Sequence, residues 1–295
     1  MKTVAILMGT YNGDKYLREQ LDSIFKQKDV DITLFIDDDL SSDNTIDIIK
    51  EYAKNYRIYW KVNEKNKNYT YNFLDLLFEV KDKNFDYFAL SDQDDVWEED
   101  KIISAINKLE QTNKHLYCSN LKVVDEKLNF IKNMNSFSDD NKYPAHLIFE
   151  NICTGCTVLF DKEFLSLATI YKPQNIKNHD HWLILVAAFA SSYVYDENSH
   201  ILYRQHANNQ IGGLKNESIG SLYNGFLNKH DYRYRMVEEL IKGYKDKIPD
   251  EGLIDLNLFI NYKKIKNKLQ ICFSSHFRSY VRPLFKKIKI LFNKY

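Results

Sequence analysis

The sequence predicts an α/β fold: a mixed, mostly parallel sheet flanked by helices, with a helical appendage at the C-terminal end. Three observations predict it. Short β-branched or apolar runs alternate with segments of helical apolar period through the first hundred residues, the pattern of parallel strands joined by crossover helices. The runs end in turns rich in Gly, Asn and Asp, which break regular structure. From about Ile219 onward the alternation is gone and the sequence is helical, aromatic and finally basic.

Each element has its own justification. Residues 3–8 read as the first strand, and residues 15–27 carry Tyr16, Leu17, Leu21, Ile24 and Phe25 on one face, the stripe that a 3.6-residue repeat produces. Residues 32–36 form the second strand. Residues 44–55 form the second helix, introduced by Ser41, Ser42 and Asp43, side chains that cap free N–H groups. A strand at 58–62, a helix at 71–79 and a strand at 87–90 repeat the unit. The next helix, 98–111, opens on Glu98, Glu99 and Asp100, acids that suit the positive end of a helix. Residues 116–119, 122–124 and 156–160 read as short strands, 133–143 as a polar loop, 181–190 as a helix, and 192–195 with 201–203 as the strands that close the sheet region.

Composition narrows the function. The 295 residues are 44% hydrophobic, enough for a substantial core. Formal charge is zero, but all 41 acids lie at or before Asp255 while ten of the 41 basic residues follow it. An acidic body with a basic tail argues against nucleic-acid binding. No secretory signal is read at the start and no run of 18 apolar residues occurs, so a cytoplasmic location is expected. Cys118, Cys153, Cys156 and Cys272 are few and scattered, as in a reducing compartment. Cys153 and Cys156 form a single C-x-x-C, which is read as ordinary packing.

The chemistry gathers where the strands end, because ligands of parallel sheets bind beyond the carboxyl ends of the strands. The first strand ends in Gly9-Thr10-Tyr11-Asn12-Gly13, the second in Asp37-Asp38-Asp39, the fourth in Ser91-Asp92-Gln93-Asp94-Asp95. Two acidic clusters side by side repel unless compensated, and a divalent cation or a base-and-ribose ligand would compensate them. Asp92-x-Asp94-Asp95 offers the hard oxygen ligands that Mg²⁺ or Mn²⁺ prefer. Asp38 and Asp39 fit two roles equally, ligand contact or capping of the following helix.

These residues resemble family 2 glycosyltransferases of the GT-A fold. The resemblance rests on Thr10-Tyr11-Asn12, on Asp38-Asp39-Leu40-Ser41-Ser42-Asp43-Asn44-Thr45, and on Asp92-Gln93-Asp94-Asp95-Val96-Trp97 leading to Asp100-Lys101. It continues through Thr154-Gly155-Cys156, His179-Asp180-His181-Trp182 and Tyr203-Arg204-Gln205-His206. The form S-D-Q-D-D-V-W with a later Y-R-Q-H is most similar to rhamnosyltransferase-like members that build bacterial surface polysaccharides. The resemblance implies that Gly9, Tyr11 and Asp39 contact the nucleoside, that Asp92 faces the ribose or donor sugar, and that Asp94, with Asp95, holds the Mn²⁺ or Mg²⁺ bridging two phosphates. It also implies an inverting transfer with Asp180 as base, Asp180 being equally suited to cap the helix it opens. Leu40 and Asn68 stand where the family usually has Gly.

Arg204 and His206 follow a strand, where a late loop would let Arg204 offset phosphate charge and His206 join the cation or donate to phosphate. Trp182 is either a wall of the site or core. Asn208, Asn209, Gly212 and Gly213 read as a lid. Lys286, Lys287, Lys289 and Lys294 alternate with Leu284, Phe285, Ile288, Ile290, Leu291 and Phe292, a basic amphipathic stretch suited to an anionic membrane leaflet or to packing on the domain. The expected division is a catalytic domain over 1–218 and a helical region over 219–295, taking a nucleoside-diphosphate sugar and a saccharide or lipid-linked saccharide acceptor. Two rival readings are a sugar-phosphate nucleotidyltransferase, which usually needs a Gly-rich or Lys-bearing loop at the first strand, and an inactive nucleotide-sugar-binding module.

Overall fold

The structure is a computed structural model that describes residues 1–134, 143–206, 232–262 and 264–277. The chain groups into two compact units. The first comprises Met1–Phe137, Cys153–Ile170 and Ser192–His206, the second Ser138–Ile152, Tyr171–Ser191 and Ala207–Tyr295. The expected boundary at 218/219 lies outside the described residues.

In the first unit the predicted alternation is realised as β1 (Lys2–Thr10), α1 (Leu17–Phe25), β2 (Val30–Asp38), α2 (Thr45–Tyr52), β3 (Ile58–Val62), α3 (Tyr69–Val80), β4 (Tyr87–Ser91), β5 (Val96–Trp97) and α4 (Lys101–Thr112). Then follow β6 (Leu116–Ser119), β7 (Lys122–Val124), β8 (Phe130–Asn133), β9 (Leu159–Asp161), α5 (Lys162–Ala168), β10 (Tyr193–Asp196) and β11 (Ile201–Arg204). Seven strands form one sheet in the order β10-β6-β9-β4-β1-β2-β3. Within it β9 runs antiparallel to both neighbours and the other pairings are parallel.

Burial explains the central position of β1. Val4 to Met8 are fully buried, as a strand covered on both faces requires. Val4, Ile6 and Met8 pack with Leu17, Leu21 and Ile24 of α1, Ile48 and Ile49 of α2, and Ile102, Ala105, Ile106 and Leu109 of α4. Ala5 and Leu7 face the other way by strand alternation. Below the sheet an aromatic ladder runs through Phe35, Phe85, Phe88, Phe160 and Phe164, with ring centroids 5.5–6.1 Å apart.

Four strands, β5-β11-β7-β8, form a second sheet, and here the sequence expectation is corrected. β5 and β8 carry no alternation long enough to read. β11 pairs with β5 and β7 rather than extending the main sheet. The strand expected at 156–160 is a 3₁₀ turn at Gly155–Thr157 followed by β9. The Thr157 N–H and hydroxyl both donate to the Thr154 carbonyl, at 2.9 and 2.7 Å, which bends the chain before it extends.

The second unit contains α6 (His179–Ala190), α7 (Tyr232–Tyr244), α8 (Asp250–Ile260) and α9 (Ile265–Phe273). α6 is buried nearly all round, the behaviour of a helix with no polar face. Trp182 is fully buried with its ring 5.9 Å from Tyr244, so it is core within this unit.

Candidate active site

Register brings three loops together. Gly9 lies beside Asp37, Thr10 beside Asp38, and Met8 beside Ser91, so the loop after β1 stands between those after β2 and β4. It is tied first to the β2 loop. Asp38 accepts from the Thr10 hydroxyl at 2.7 Å and from the Ser41 N–H and hydroxyl at 2.7 and 2.6 Å. Asn12 N–H donates to the Ser41 hydroxyl, Ser42 N–H to Asn12 Oδ1, and Gly13 N–H to the Thr45 hydroxyl, at 2.8–2.9 Å. Leu40 has a φ of 69°, a left-handed conformation costing a non-glycine residue roughly 1–2 kcal/mol. This accounts for the glycine usual there in the family it resembles.

Asp39 is almost fully buried. Its carboxylate accepts from Lys67 N–H at 2.8 and 3.1 Å and from Asn63 Nδ2 at 3.1 Å. Asn63 also donates to Asn72 Oδ1 at 2.8 Å, and Asn72 to the Asp37 carbonyl at 2.7 Å. Gly9 sits against this ladder: a Cβ there would meet Asn72 Nδ2 at 3.2 Å. Asp37 lies 3.1 Å from the Lys61 ammonium, and burial still raises its carboxyl to about 6. The β2 cluster is therefore held from within by amides, hydroxyls and one lysine.

The β4 cluster is held by different partners. Asp95 is wholly buried, its Oδ1 accepts from Arg204 N–H at 3.1 Å, and burial with the charges of Asp94 and Asp92 holds its carboxyl well above the usual range. Ligand atoms of Asp92, Asp95 and Cys156 lie within 4.8 Å of one another. Asp94 instead meets His206, with Nε2 2.8 Å from Oδ2, and the His206 ring packs 5.0 Å from Tyr16. Thus the predicted metal residues fall into two neighbouring groups, Asp94 with His206 and Asp95 with Asp92. The donor set of carboxylate oxygens and one imidazole suits Mn²⁺ or Mg²⁺.

Arg204 is engaged by the protein itself. Its guanidinium is nearly inaccessible and is committed to the protein: Nε donates to the Asp94 carbonyl at 2.9 Å, Nη1 to the Glu126 carbonyl at 2.6 Å, and Nη2 pairs with Glu19. Its flat face lies 4.5 Å from the Tyr16 ring. A fork that fills all three nitrogens in this way clamps a loop.

Gln93, between the two acids, joins the β4 loop to the β1 loop through Tyr11. Nothing in the sequence singles it out, and the same is true of Asn63, Asn72 and Glu19, whose partners are distant along the chain. A second surface cluster, Glu98, Asp100 and His200, is already partly neutralised by Lys122, 2.5 Å from Glu98.

In the second unit, Asp180 lies inside the first turn of α6, whose N-cap is Asn178. The N-cap position therefore lies two residues before Asp180. Asp180 is buried, and its Oδ1 accepts from the His181 N–H at 2.6 Å. Burial lowers His179 to about 3 and His181 to about 4, leaving both rings neutral. His181 Nε2 is 2.7 Å from the Leu147 carbonyl, so Nε2 carries the proton. The expected lid at 208–213 and the basic stretch at 284–294 lie outside the described residues.

Comparison with known proteins agrees with this fold. The family model described as Glycosyl transferase family 2 matches residues 5–167. The chain is similar to the dTDP-rhamnosyl transferase RfbG of Shigella flexneri, 38% identical over 70% of this chain and 73% of that protein. Its fold is similar to S. aureus TarS 1–349, solved with UDP-GlcNAc, at a TM-score of 0.57 and 16% identity over 99% of this chain and 89% of that one. It is also similar to the Pyrobaculum calidifontis mannosyltransferase PcManGT, solved with GDP-Man and Mn²⁺, at a TM-score of 0.52 and 12% identity over 99% and 88%.

Proposed function

This chain belongs to glycosyltransferase family 2, and from that premise we propose that it moves a sugar from a dTDP- or UDP-sugar onto a saccharide or lipid-linked saccharide acceptor in bacterial surface polysaccharide synthesis, inverting the anomeric centre. The observation that carries the reading is the Asp94–His206 pair beside the acids Asp92 and Asp95 at the end of β4, where burial and the neighbouring carboxylates hold Asp95 well above the usual range. The similarity to a dTDP-rhamnosyl transferase favours a deoxythymidine or uridine donor.

The residues take these parts. Asp39 accepts from two groups, Lys67 N–H and Asn63. A carboxylate offers about four lone-pair sites, so one on Oδ2 remains for the imide N–H that thymine and uracil share. Tyr11, about half exposed, supplies a ring beside the nucleoside, and Gly9 keeps the floor low. Asp92 faces the ribose or the donor sugar. Asp94, Asp95 and His206 would hold Mn²⁺ or Mg²⁺, which when bound supplies positive charge for the departing diphosphate. Arg204 contributes by fixing the Asp94 carbonyl and the Asp95 carboxylate. Asp180 takes the proton of the acceptor hydroxyl as its oxygen bonds the anomeric carbon and the bond to the diphosphate breaks. A cytoplasmic enzyme touching the inner membrane face through its basic end fits this acceptor class. Among the described residues no helix is long and apolar enough to cross a membrane.

The test is a thermal-shift screen of dTDP, UDP and GDP with and without Mn²⁺, followed by turnover of the best donor. Stabilisation by a pyrimidine nucleotide that grows with Mn²⁺ is expected. No shift with any nucleotide overturns the proposal.

A further inference from the structure

We propose that Gln93 couples cation binding to nucleoside binding, so that each ligand raises the affinity of the protein for the other even when no phosphate connects them. The inference rests on the functional reading above and assigns a role to the middle residue of the acidic motif.

Three observations carry it. Gln93 uses both ends of its amide on the backbone of one residue: Oε1 accepts from Tyr11 N–H at 2.9 Å and Nε2 donates to the Tyr11 carbonyl at 3.0 Å. This is the reciprocal pattern of a strand pair, and it fixes the separation of two loops rather than merely tethering them. The β1 loop is also folded closely around the amide. A Cβ at Gly13 would lie 2.3 Å from Gln93 Oε1 and 2.5 Å from Cδ, so any side chain at position 13 displaces Gln93. Finally, each loop is tied by hydrogen bonds on its own side. Asn12, Gly13 and Thr10 tie the β1 loop to the β2 loop that holds Asp39, and Arg204 and His206 tie the β4 loop at Asp94.

The consequence follows from linkage. Gln93 is flanked directly by Asp92 and Asp94, so a cation that fixes the Asp94 backbone also fixes the Gln93 amide, and through it Tyr11. The nucleoside then meets a loop whose ordering cost is already met, and the effect must be reciprocal. Diphosphate obscures this coupling because it bridges both sites directly. A bare nucleoside cannot, which makes thymidine or uridine the informative probe.

The experiment measures the Mn²⁺ dissociation constant by electron paramagnetic resonance with and without saturating thymidine or uridine, in the parent, Gln93→Ala and Gly13→Ala proteins. In the parent, nucleoside is expected to tighten Mn²⁺ binding about 5-fold or more, and Mn²⁺ to tighten nucleoside binding by the same factor. Gln93→Ala is expected to bind each ligand alone but to bring the factor to within about 2-fold of unity, and Gly13→Ala to reduce it by displacing the amide. A residue that only supports the fold would lower the melting temperature and leave the factor unchanged. A parent protein that binds both ligands independently, or a Gln93→Ala protein that keeps the parent factor, overturns the coupling while leaving the functional reading intact. A parent that binds neither ligand overturns the functional reading and the coupling with it.

Discussion

Replacing Arg204 by Met tests whether this residue clamps the acidic loop or reaches the diphosphate. The methionine stem keeps much of the packing but removes every donor. Two carbonyls, of Asp94 and Glu126, lose partners at 2.9 and 2.6 Å. Stranding a buried acceptor costs about 1–3 kcal/mol, and these bonds are only partly buried, so about 1 kcal/mol each is reasonable. The Glu19 carboxylate is about half exposed and rehydrates, so its loss adds about 0–1 kcal/mol. The stacked Tyr16 ring adds about 0.5–1 kcal/mol. The expected total is about 2.5–4 kcal/mol, read from the urea midpoint at unchanged slope. Arg204→Lys keeps the charge but has one compact head in place of the fork, and is expected to recover no more than about half. Under the clamp reading both variants lose Mn²⁺ affinity in proportion to lost stability. The reasoning is refuted if Arg204→Met costs less than about 1 kcal/mol, or if Arg204→Lys matches the parent in stability while only the donor KM rises, the behaviour of a phosphate ligand.

Three further outcomes are expected. Asp180→Asn should lower turnover by roughly 10²- to 10⁴-fold, the usual worth of a general base, with the donor dissociation constant held within about 2-fold; steady-state kinetics showing a loss of only a few-fold would move the base elsewhere. Asp94→Ala and His206→Ala should each abolish the Mn²⁺-dependent part of nucleotide stabilisation, which for ligand at 100 times its Kd is about 2.7 kcal/mol; an undiminished Mn²⁺ effect in calorimetry would detach the cation from these residues. The buried His179 and His181, at about 3 and 4 in the folded chain against an ordinary 6.5, bind fewer protons folded than unfolded. Their stabilising effect is therefore complete above pH 6.5 and is lost as pH falls, by about 2 kcal/mol per histidine at pH 5. His181→Gln, which cannot titrate but can still donate to the Leu147 carbonyl, should flatten the loss between pH 6.5 and 4, and an unchanged slope would contradict the burial argument.

The first four strands and three helices could be read from the sequence because their information is local. Val4 to Met8 is apolar without interruption, and the stripe of Leu17, Leu21 and Ile24 has helical spacing. β9 could not be placed that way. It is three residues long, and its place between β4 and β6 depends on pairings such as Phe88 with Phe160 and Leu116 with Phe160, which no local pattern encodes. The same limit separates naming the acids from assigning them. Asp94 and His206 are 112 residues apart in sequence, and Arg204 reaches the Asp94 carbonyl across a similar separation. Residue type identifies an arginine near acids as a phosphate ligand or as a clamp with equal ease; its filled hydrogen bonds favour the clamp.

Those filled bonds also sort the aspartates. Asp38 accepts from three donors, the Thr10 hydroxyl and the N–H and hydroxyl of Ser41, and it has no exposed surface. Three of its roughly four lone-pair sites are taken by the turn, so it fixes the loop, while the N-cap position of α2 belongs to Asn44. Asp39 sits one residue further along, accepts from two donor groups and keeps a lone-pair site on Oδ2. Among the described residues the Asp94 carboxylate meets the imidazole of His206, a contact that a cation would readily exchange for two ligand bonds. A carboxylate held in place with acceptor capacity to spare is what a binding site requires, and on that criterion Asp39 and Asp94 stand apart from Asp38, although all three read alike in the sequence.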